Sequence, residues 1–297
     1  MSNLDRGREN TIVAIIVSYN PPPKVVSLCQ SLLAQVSRIV VVDNGSHMDN
    51  ENLVALRNIN KLDLVLLGRN LGIGFALNVG VRRVMPECNP EFILFLDQDS
   101  VLPDGSLYLA LSLLRRDERV GLVHLSEGLG PAEAEFKDFA ITSGSVVRSG
   151  IAKEIWFREE FFMDQIDHDY CYNLRLKGYK VAEISAGATY SVGQTKSLAD
   201  IPWLRRMLWL ALARVSRQPY GQQIRFEPGF RVYYMTRNSL ILLKERKINI
   251  GFFLWQLLDL LIRLSIANGV RSLVYPTAVG FVDGFINKTG RDERFLP

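Results

Sequence analysis

FILFLDQDS, residues 92–100, is an apolar run that closes on two aspartates one residue apart. A short apolar run bounded by turn residues reads as a buried strand, which puts Asp97 and Asp99 at its carboxyl end. Open α/β sheets bind their ligands at that edge. Two carboxylates there form a hard oxygen site suited to Mg²⁺ or Mn²⁺, ions normally shared with substrate phosphates. A D-x-D tripeptide alone is common on surfaces. Its place behind a buried strand, downstream of another strand that ends in Ser18-Tyr19-Asn20, gives it meaning.

Outward from this strand, sheet and helix signals alternate. TIVAIIVS (11–18), RIVVVD (38–43), LDLVLLG (62–68) and RVGLVHL (119–125) read as further strands. Helices are expected over 21–36, where three prolines open the segment, over 70–85, and near 106–116. Such alternation implies a mostly parallel sheet with right-handed crossovers. Beyond it, 139–150 reads as a strand with a small-residue turn, 161–179 as a helix closed by Gly178, and 180–184 and 188–193 as short strands. From Pro202 onward the pattern is helical, over 203–215, 231–245 and 250–269. The stretch 250–268 is long and apolar, but Asp259 and Arg263 lie inside it at i,i+4 spacing. An ionised residue at the centre of a spanning helix costs about 2.5–3.5 kcal/mol. An amphipathic surface helix or a core helix is therefore expected.

The 297 residues are 48% hydrophobic and 22% charged, which excludes a disordered chain. Cys29, Cys88 and Cys171 are scattered and odd in number, the usage of reduced thiols in a cytosolic compartment. The polar opening MSNLDRGREN lacks the apolar stretch of a signal peptide. Charge is uneven: residues 1–200 carry 20 Lys and Arg against 25 Asp and Glu, residues 201–297 carry 15 against 6. A basic terminal third suggests an anionic partner. Its charges interleave with aromatic and aliphatic residues, Trp203, Trp209 and Trp255 among them, and no nucleic-acid-binding signature accompanies it. An anionic membrane surface is favoured over nucleic acid.

Several strand-end motifs fit a nucleotide. Tyr19 can lay its ring against a base; alternatively it is a core tyrosine. Asp43, opening DNGS, can accept from the imide N–H of thymine or uracil; the same four residues are ordinary Asx-turn chemistry. Gly72-Ile73-Gly74 follows a strand and opens a helix as a dinucleotide fingerprint does, but the third small residue would fall on Leu77 and the strand is the third rather than the first. Arg69 can neutralise a diphosphate, and the glycines with a helix N-terminus offer backbone donors.

Together, Ser18-Tyr19-Asn20, Asp43-Asn44-Gly45-Ser46, Arg69-Asn70-Leu71-Gly72-Ile73-Gly74 with Asn78, Asp97-Gln98-Asp99 and Asp167-His168-Asp169 resemble the family 2 inverting glycosyltransferases. The likeness runs over residues 11–195, and Arg237-Asn238 extends it. It implies an α/β, GT-A-type (Rossmann-like) fold, a mostly parallel sheet flanked by helices with a helical C-terminal extension. Residues 1–200 are then the nucleotide-sugar-binding and catalytic domain, and 201–297 a basic, aromatic region facing a membrane or a partner. VVDNGS, RNLGIGFALN and LFLDQDS are most similar to bacterial rhamnosyltransferases that use dTDP-L-rhamnose.

The resemblance implies donor-binding roles for Ser18, Tyr19, Asn20, Asp43, Asn44, Arg69, Asn70, Gly72, Gly74, Asn78 and Asp97. Asp97 leans toward ribose and diphosphate, and Asp99 with it holds the metal; a cap for the helix after Pro103 is the plainer reading of the pair. Asp167 is the expected general base, with Asp164 and Asp169 as rivals and a helix cap as the alternative. Thr142-Ser143-Gly144 resembles the acceptor-side loop, or is a simple turn. The acceptor implied is a glycan, often lipid-linked. Two positions depart from the family: Asn173 stands where an arginine is frequent, and Tyr190 where many relatives carry a histidine in the metal shell. His168 is expected at the surface. A UDP-sugar donor, for a hexosyl- or galactofuranosyltransferase, and a nucleotide-sugar-binding protein without turnover are the competing readings.

Overall fold

The computed structural model describes residues 12–128, 133–190, 194–204, 206–207, 223–267 and 271–296. They fall into two compact units: those within Met1–Phe162 and Ile166–Ser191, and those within Met163–Gln165 and Val192–Pro297.

The first unit is built on an eight-stranded sheet. Its strands are β1 (Ile12–Ser18), β2 (Arg38–Asp43), β3 (Leu62–Leu66), β4 (Phe92–Asp97), β5 (Val120–Ser126), β6 (Glu135–Lys137), β7 (Ser145–Arg148) and β8 (Lys180–Ser185), in the order β3-β2-β1-β4-β7-β5-β8-β6. The half β3-β2-β1-β4 is parallel, as the alternation predicts. Strands buried on both faces read as unbroken apolar runs, and Ile12–Ile16, Ile39–Val42 and Phe92–Leu96 are buried throughout. The helices α1 (Lys24–Leu32), α2 (Glu51–Leu56), α3 (Ile73–Cys88), α4 (Ser106–Arg116), α5 (Ser149–Glu154) and α6 (Ile166–Leu176) belong to the same unit. Asn50 caps α2 by accepting from the amides of Asn52 and Leu53, both at 3.0 Å.

Beyond residue 125, where the alternation of strand and helix signals stops, the sheet is mixed. β7 runs antiparallel between β4 and β5, and β6 antiparallel to β8. The turn at 142–144 seats β7 beside β4: the Ser145 amide donates to the Thr142 carbonyl at 3.0 Å and the Gly144 amide to the Phe95 carbonyl at 2.8 Å. The helix expected over 161–179 begins only at Ile166; Glu159–Phe161 is a 3₁₀ turn. The strand expected over 188–193 is an isolated bridge between Val101 and Thr189, with 191–193 outside the described residues. Cys29 and Cys171 are buried and Cys88 is exposed, all as free thiols; burial pushes both buried thiols up to about 12.

The second unit holds a two-stranded antiparallel ribbon, β9 (Gln194–Ser197) with β10 (Gln223–Phe226), and the helices α7 (Gly229–Lys244), α8 (Ile250–Ala267) and α9 (Arg271–Phe285). Neither β10 nor α9 was legible as an element in the sequence. Of the helix expected over 203–215, residues 203–204 and 206–207 are helical and 208–222, with Trp209, lie outside the described residues. So does the side chain of Arg263, and with it the expected pairing to Asp259. Among the described residues no helix is long and apolar enough to cross a membrane.

Candidate active site

The parallel register sets Ser18 opposite Asp43 and Val17 opposite Asp97, so three strand ends share one rim. Asp43 is 2% exposed and organises that rim. Its Oδ1 accepts from the Ser18 hydroxyl at 3.2 Å and from the Ser46 hydroxyl, and its Oδ2 accepts from the amides of Gly45 (3.2 Å) and Ser46 (3.0 Å). The carboxylate expected to meet a pyrimidine imide is thus engaged in the Asx turn. An imide N–H would have to replace one of these bonds, the rotatable Ser46 hydroxyl being the easiest to redirect. Asn20, at φ 45°, donates its amide to the Ser46 hydroxyl at 2.7 Å and accepts from the His47 amide at 3.0 Å.

Gln98, between the two aspartates, bonds the backbone of Tyr19 in both directions: it accepts from the Tyr19 amide at 2.9 Å and donates to the Tyr19 carbonyl at 3.1 Å. This pair of hydrogen bonds locks the Ser18-Tyr19-Asn20 end to the D-x-D end, and Tyr19 is half-buried. Sequence reasoning passed over Gln98; the signal was its place between two carboxylates, where alternation turns it inward.

Asp97 is exposed and Asp99 half-buried. The Asp97 amide donates to the Ser143 hydroxyl at 3.0 Å, and Ser143 and Ser100 share a hydroxyl pair at 2.8 Å. The Ser143 end of the expected acceptor-side loop is therefore fixed to the D-x-D turn. Two carboxylates at an accessible strand end fit Mg²⁺ or Mn²⁺, which keep water and substrate phosphates as their remaining ligands. A third protein ligand is not supplied by Tyr190, whose hydroxyl donates to the Leu125 carbonyl and whose phenol burial pushes up, ahead of the charges of Glu127 and Asp97. Among the described residues no three His, Cys, Asp or Glu side chains gather as a metal cage.

Asn44 and Asn70 form a second clasp. The Asn44 amide group donates to Asn70 Oδ1 at 2.9 Å, the Leu71 amide donates to Asn44 Oδ1 at 2.9 Å, and the Gly72 amide to Asn70 Oδ1 at 3.1 Å. Arg69 is exposed on the same turn. Gly72, Gly74 and Asn78 do different work from that expected. At Gly72 (φ 96°) an added Cβ would meet the Phe162 carbonyl oxygen at 2.6 Å, and at Gly74 the Arg158 carbonyl oxygen at 2.8 Å. The first amide of α3, that of Ile73, already donates to the Phe162 carbonyl at 2.7 Å. Asn78 is 1% exposed; it donates to the Phe157 carbonyl (2.9 Å) and to Glu159 Oε1 (2.8 Å), and accepts from the Phe157 amide (3.0 Å). The start of α3 is packed against the protein's own backbone at 157–162, and these three residues hold that segment.

That segment leads toward α6, where the acidic candidates separate. Asp167 is half-buried and accepts from the Thr142 hydroxyl at 3.2 Å. Asp169, 2% exposed, faces Arg158 at 3.5 Å and accepts from Asn173 at 2.9 Å, which gives the departing Asn173 its role. Asp164 belongs to the second unit, where Arg231 holds it at 2.6 Å. In the same unit the buried Asn238 donates to the carbonyls of Met163 (2.7 Å) and Asp164 (3.0 Å), and Arg237 donates to Asn238 Oδ1 at 2.9 Å. The Arg-Asn pair thus fixes a loop in which Asp164 and Gln165 both take positive φ. Both rivals of Asp167 face guanidinium groups. His168 is not at the surface: its ring stacks on Phe139 at 3.7 Å between centroids, and burial drives its pKa down to about 4.

A continuous path follows: Asp43 to Ser18, across β1 and β4 to Asp97, through Ser143 and Thr142 to Asp167. Carboxylates far apart in sequence are linked along one rim.

The sequence profile described as Glycosyl transferase family 2 matches residues 13–171, over half of the chain. The chain is 26% identical over 298 residues to the dTDP-rhamnosyl transferase RfbF of Shigella flexneri, covering 91% of this chain and 88% of that protein. It is 23% identical over 319 residues to the low-salt glycan biosynthesis hexosyltransferase Agl10 of Haloferax volcanii, covering 94% and 92%. Among solved structures, the mannosyltransferase PcManGT from Pyrobaculum calidifontis in complex with GDP-Man and Mn²⁺ superposes with a TM-score of 0.51 at 16% identity, covering 94% of this chain and 86% of that one. S. aureus TarS 1–349 in complex with UDP-GlcNAc gives 0.50 at 16% identity, covering 92% and 89%. At such identity these two likenesses speak to the fold, which is of GT-A type with a helical C-terminal part.

Proposed function

Since this chain belongs to glycosyl transferase family 2, we propose that it transfers L-rhamnose, with inversion, from dTDP-β-L-rhamnose to a hydroxyl of a glycan, lipid-linked or free, in surface polysaccharide synthesis. The observation that carries the chemistry is that adjacent residues of one turn bond the two sides of the site, Ser143 the Asp97 amide and Thr142 the Asp167 carboxylate. The likeness to a dTDP-rhamnosyl transferase over nearly the whole chain supports the sugar.

In this reading the base lies against the Tyr19 ring and the turn that Asp43 organises. Arg69 faces the diphosphate. Asp97 and Asp99 would hold Mg²⁺ or Mn²⁺, which when bound neutralises the diphosphate and acts as a Lewis acid on the leaving phosphate oxygen. Thr142 orients Asp167 through its hydroxyl. Asp167 takes the proton of the acceptor hydroxyl as that oxygen bonds to the anomeric carbon, the bond from that carbon to the phosphate oxygen breaks, and dTDP leaves. One in-line displacement inverts the anomeric centre.

The test uses purified protein, Mg²⁺ or Mn²⁺, dTDP-rhamnose and a glycan acceptor fraction, with release of dTDP as the signal. Asp167→Asn keeps donor affinity and loses turnover by about 10²–10⁴-fold, the usual contribution of a general base. Turnover retained in that variant removes Asp167 from the role. The hexosyltransferase relative favours a second reading with a different donor sugar, and a panel of dTDP- and UDP-sugars separates the two.

A further inference from the structure

The second unit shows solvent two helix faces that its own core does not use. α8 turns Phe253 and Leu260 inward, while Ile250, Leu254, Trp255 and Leu258 stand 54–60% exposed. Positions 250, 254 and 258 follow i, i+4, i+8, one face of a helix, and none of the three is charged, while the half-buried Asp259 lies one turn beyond Trp255. α9 packs against α7 through Leu273, Gly280 and Gly284 and turns outward Val274, Tyr275, Val282, Phe285 and Ile286, each 56–73% exposed. The two helices meet through Phe253 and Phe281, edge to face at 6.0 Å. Isolated apolar side chains on a surface need no explanation, but contiguous patches beyond a few hundred Å² mark interaction sites.

Cations rim these faces. Lys244, Arg246 and Lys247 precede α8, and Lys288 and Arg291 follow α9. The Lys244 ammonium donates to the Phe285 carbonyl at 2.6 Å and to Asn287 at 2.7 Å, which ties the end of α7 to the end of α9. Acidic neighbours balance part of this charge: Glu245 pairs with Lys247, Glu293 with Arg291, and Asp283 and Asp292 with Lys288. Arg246 stays exposed, and residues 201–297 hold 15 Lys and Arg against 6 acids.

We propose that the outward faces of α8 and α9 dock this unit on an anionic lipid bilayer. The apolar arcs enter the headgroup boundary, Trp255 and Tyr275 sit where an amphipathic ring is favoured, and the basic rim meets lipid phosphates. A second copy of the chain offers the same apolar area, but brings the same excess of positive charge to the contact. The proposal does not depend on which sugar the first unit transfers.

Vesicle flotation of the full chain tests it, with phosphatidylcholine alone or mixed with phosphatidylglycerol. The protein floats with the anionic vesicles, the bound fraction falls as salt is raised, and neutral vesicles bind it weakly. Leu254→Ser combined with Trp255→Ser lowers the vesicle partition coefficient about tenfold or more, with circular dichroism, Tm and donor affinity unchanged because both side chains already face solvent. Arg246→Glu weakens binding to anionic vesicles only. Undiminished flotation of the double variant overturns the proposal. So does equal binding to neutral and anionic vesicles, or a chain that light scattering shows to be a dimer, that the double variant dissociates, and that never floats.

Discussion

Replacing Asn78 by alanine separates the role the structure gives this residue from the donor contact its motif suggests. Asn78 lies inside α3 at 1% exposure and makes three hydrogen bonds to Phe157 and Glu159. Truncation strands the Phe157 amide and the Phe157 carbonyl in a buried place. Glu159 keeps Arg82 at 2.9 Å and loses less. Each stranded buried group costs about 1–3 kcal/mol. With water recovering part of the loss, a destabilisation of about 3 kcal/mol is expected, which for a unit of this size is roughly 6–12 °C in Tm. Urea unfolding followed by tryptophan fluorescence reads the first number, and calorimetric titration of dTDP reads donor affinity. The expected pair is a large loss of stability with the dTDP Kd within about twofold, since a 1.4 kcal/mol change is tenfold. Full stability with a tenfold weaker Kd would mean that Asn78 touches the nucleotide and that the bracing argument is wrong.

Other residues give predictions of the same kind. His124 and His168 are both held near pH 4 by burial, against an ordinary 6.5; the unfolded chain therefore takes up protons first, and stability falls as pH drops from 6.5 to 4, by up to about 3 kcal/mol per ring. Replacing His168 by Gln flattens that part of a Tm-versus-pH curve. In the second unit, Arg294 and then Lys288 hold the Asp292 carboxyl well below the usual carboxylate range; its contribution is present at neutral pH and is lost as pH falls below about 4, so Asp292→Asn lowers Tm at pH 7 and removes that acid-side decline. Arg158→Ala leaves the buried Asp169 without its guanidinium and costs about 3–5 kcal/mol, the usual penalty for breaking a buried pair from one side, measured by urea unfolding.

The first unit was legible because its strands are buried on both faces and announce themselves as apolar runs with acidic ends. Ile12–Ser18, Arg38–Asp43 and Phe92–Asp97 fall within a residue of where periodicity puts them. The strand at β7 was legible within 139–150, but its antiparallel direction was not: SVVR pairs with β4 and β5 alike, and four residues carry no sign of direction. Nor was the destination of the glycines. A sequence shows that Gly72 and Gly74 permit close approach, and nothing in it says whether the approaching group is a phosphate or the carbonyl of Phe162. The second unit was least legible because helical periodicity assumes polar residues outside. On α8 and α9 both arcs are apolar, so the pattern could not tell a core helix from a surface one.

The acids of α6 and of the loop before it differ in the partners that folding gives them. Asp164, Asp167 and Asp169 sit within six residues and are equivalent as a pattern. Folding makes them unequal: Arg231 holds Asp164, Arg158 faces Asp169, and Asp167 accepts from the neutral hydroxyl of Thr142. A carboxylate in an ion pair must give up that pair to take a proton, because protonation removes the charge the guanidinium binds. A carboxylate held by a hydroxyl can receive a proton from a second hydroxyl while the first turns in place, since a hydroxyl both donates and accepts. In the proposed mechanism the Thr142 contact lets Asp167 take the proton of the acceptor hydroxyl without losing that partner. Thr142 stands next to Ser143, which is bonded to the backbone of Asp97. If Asp167 is the base and Asp97 holds the ion, as proposed, their ties to adjacent residues of one turn would keep their spacing when the donor arrives, and a displacement that needs both at once would depend on that spacing.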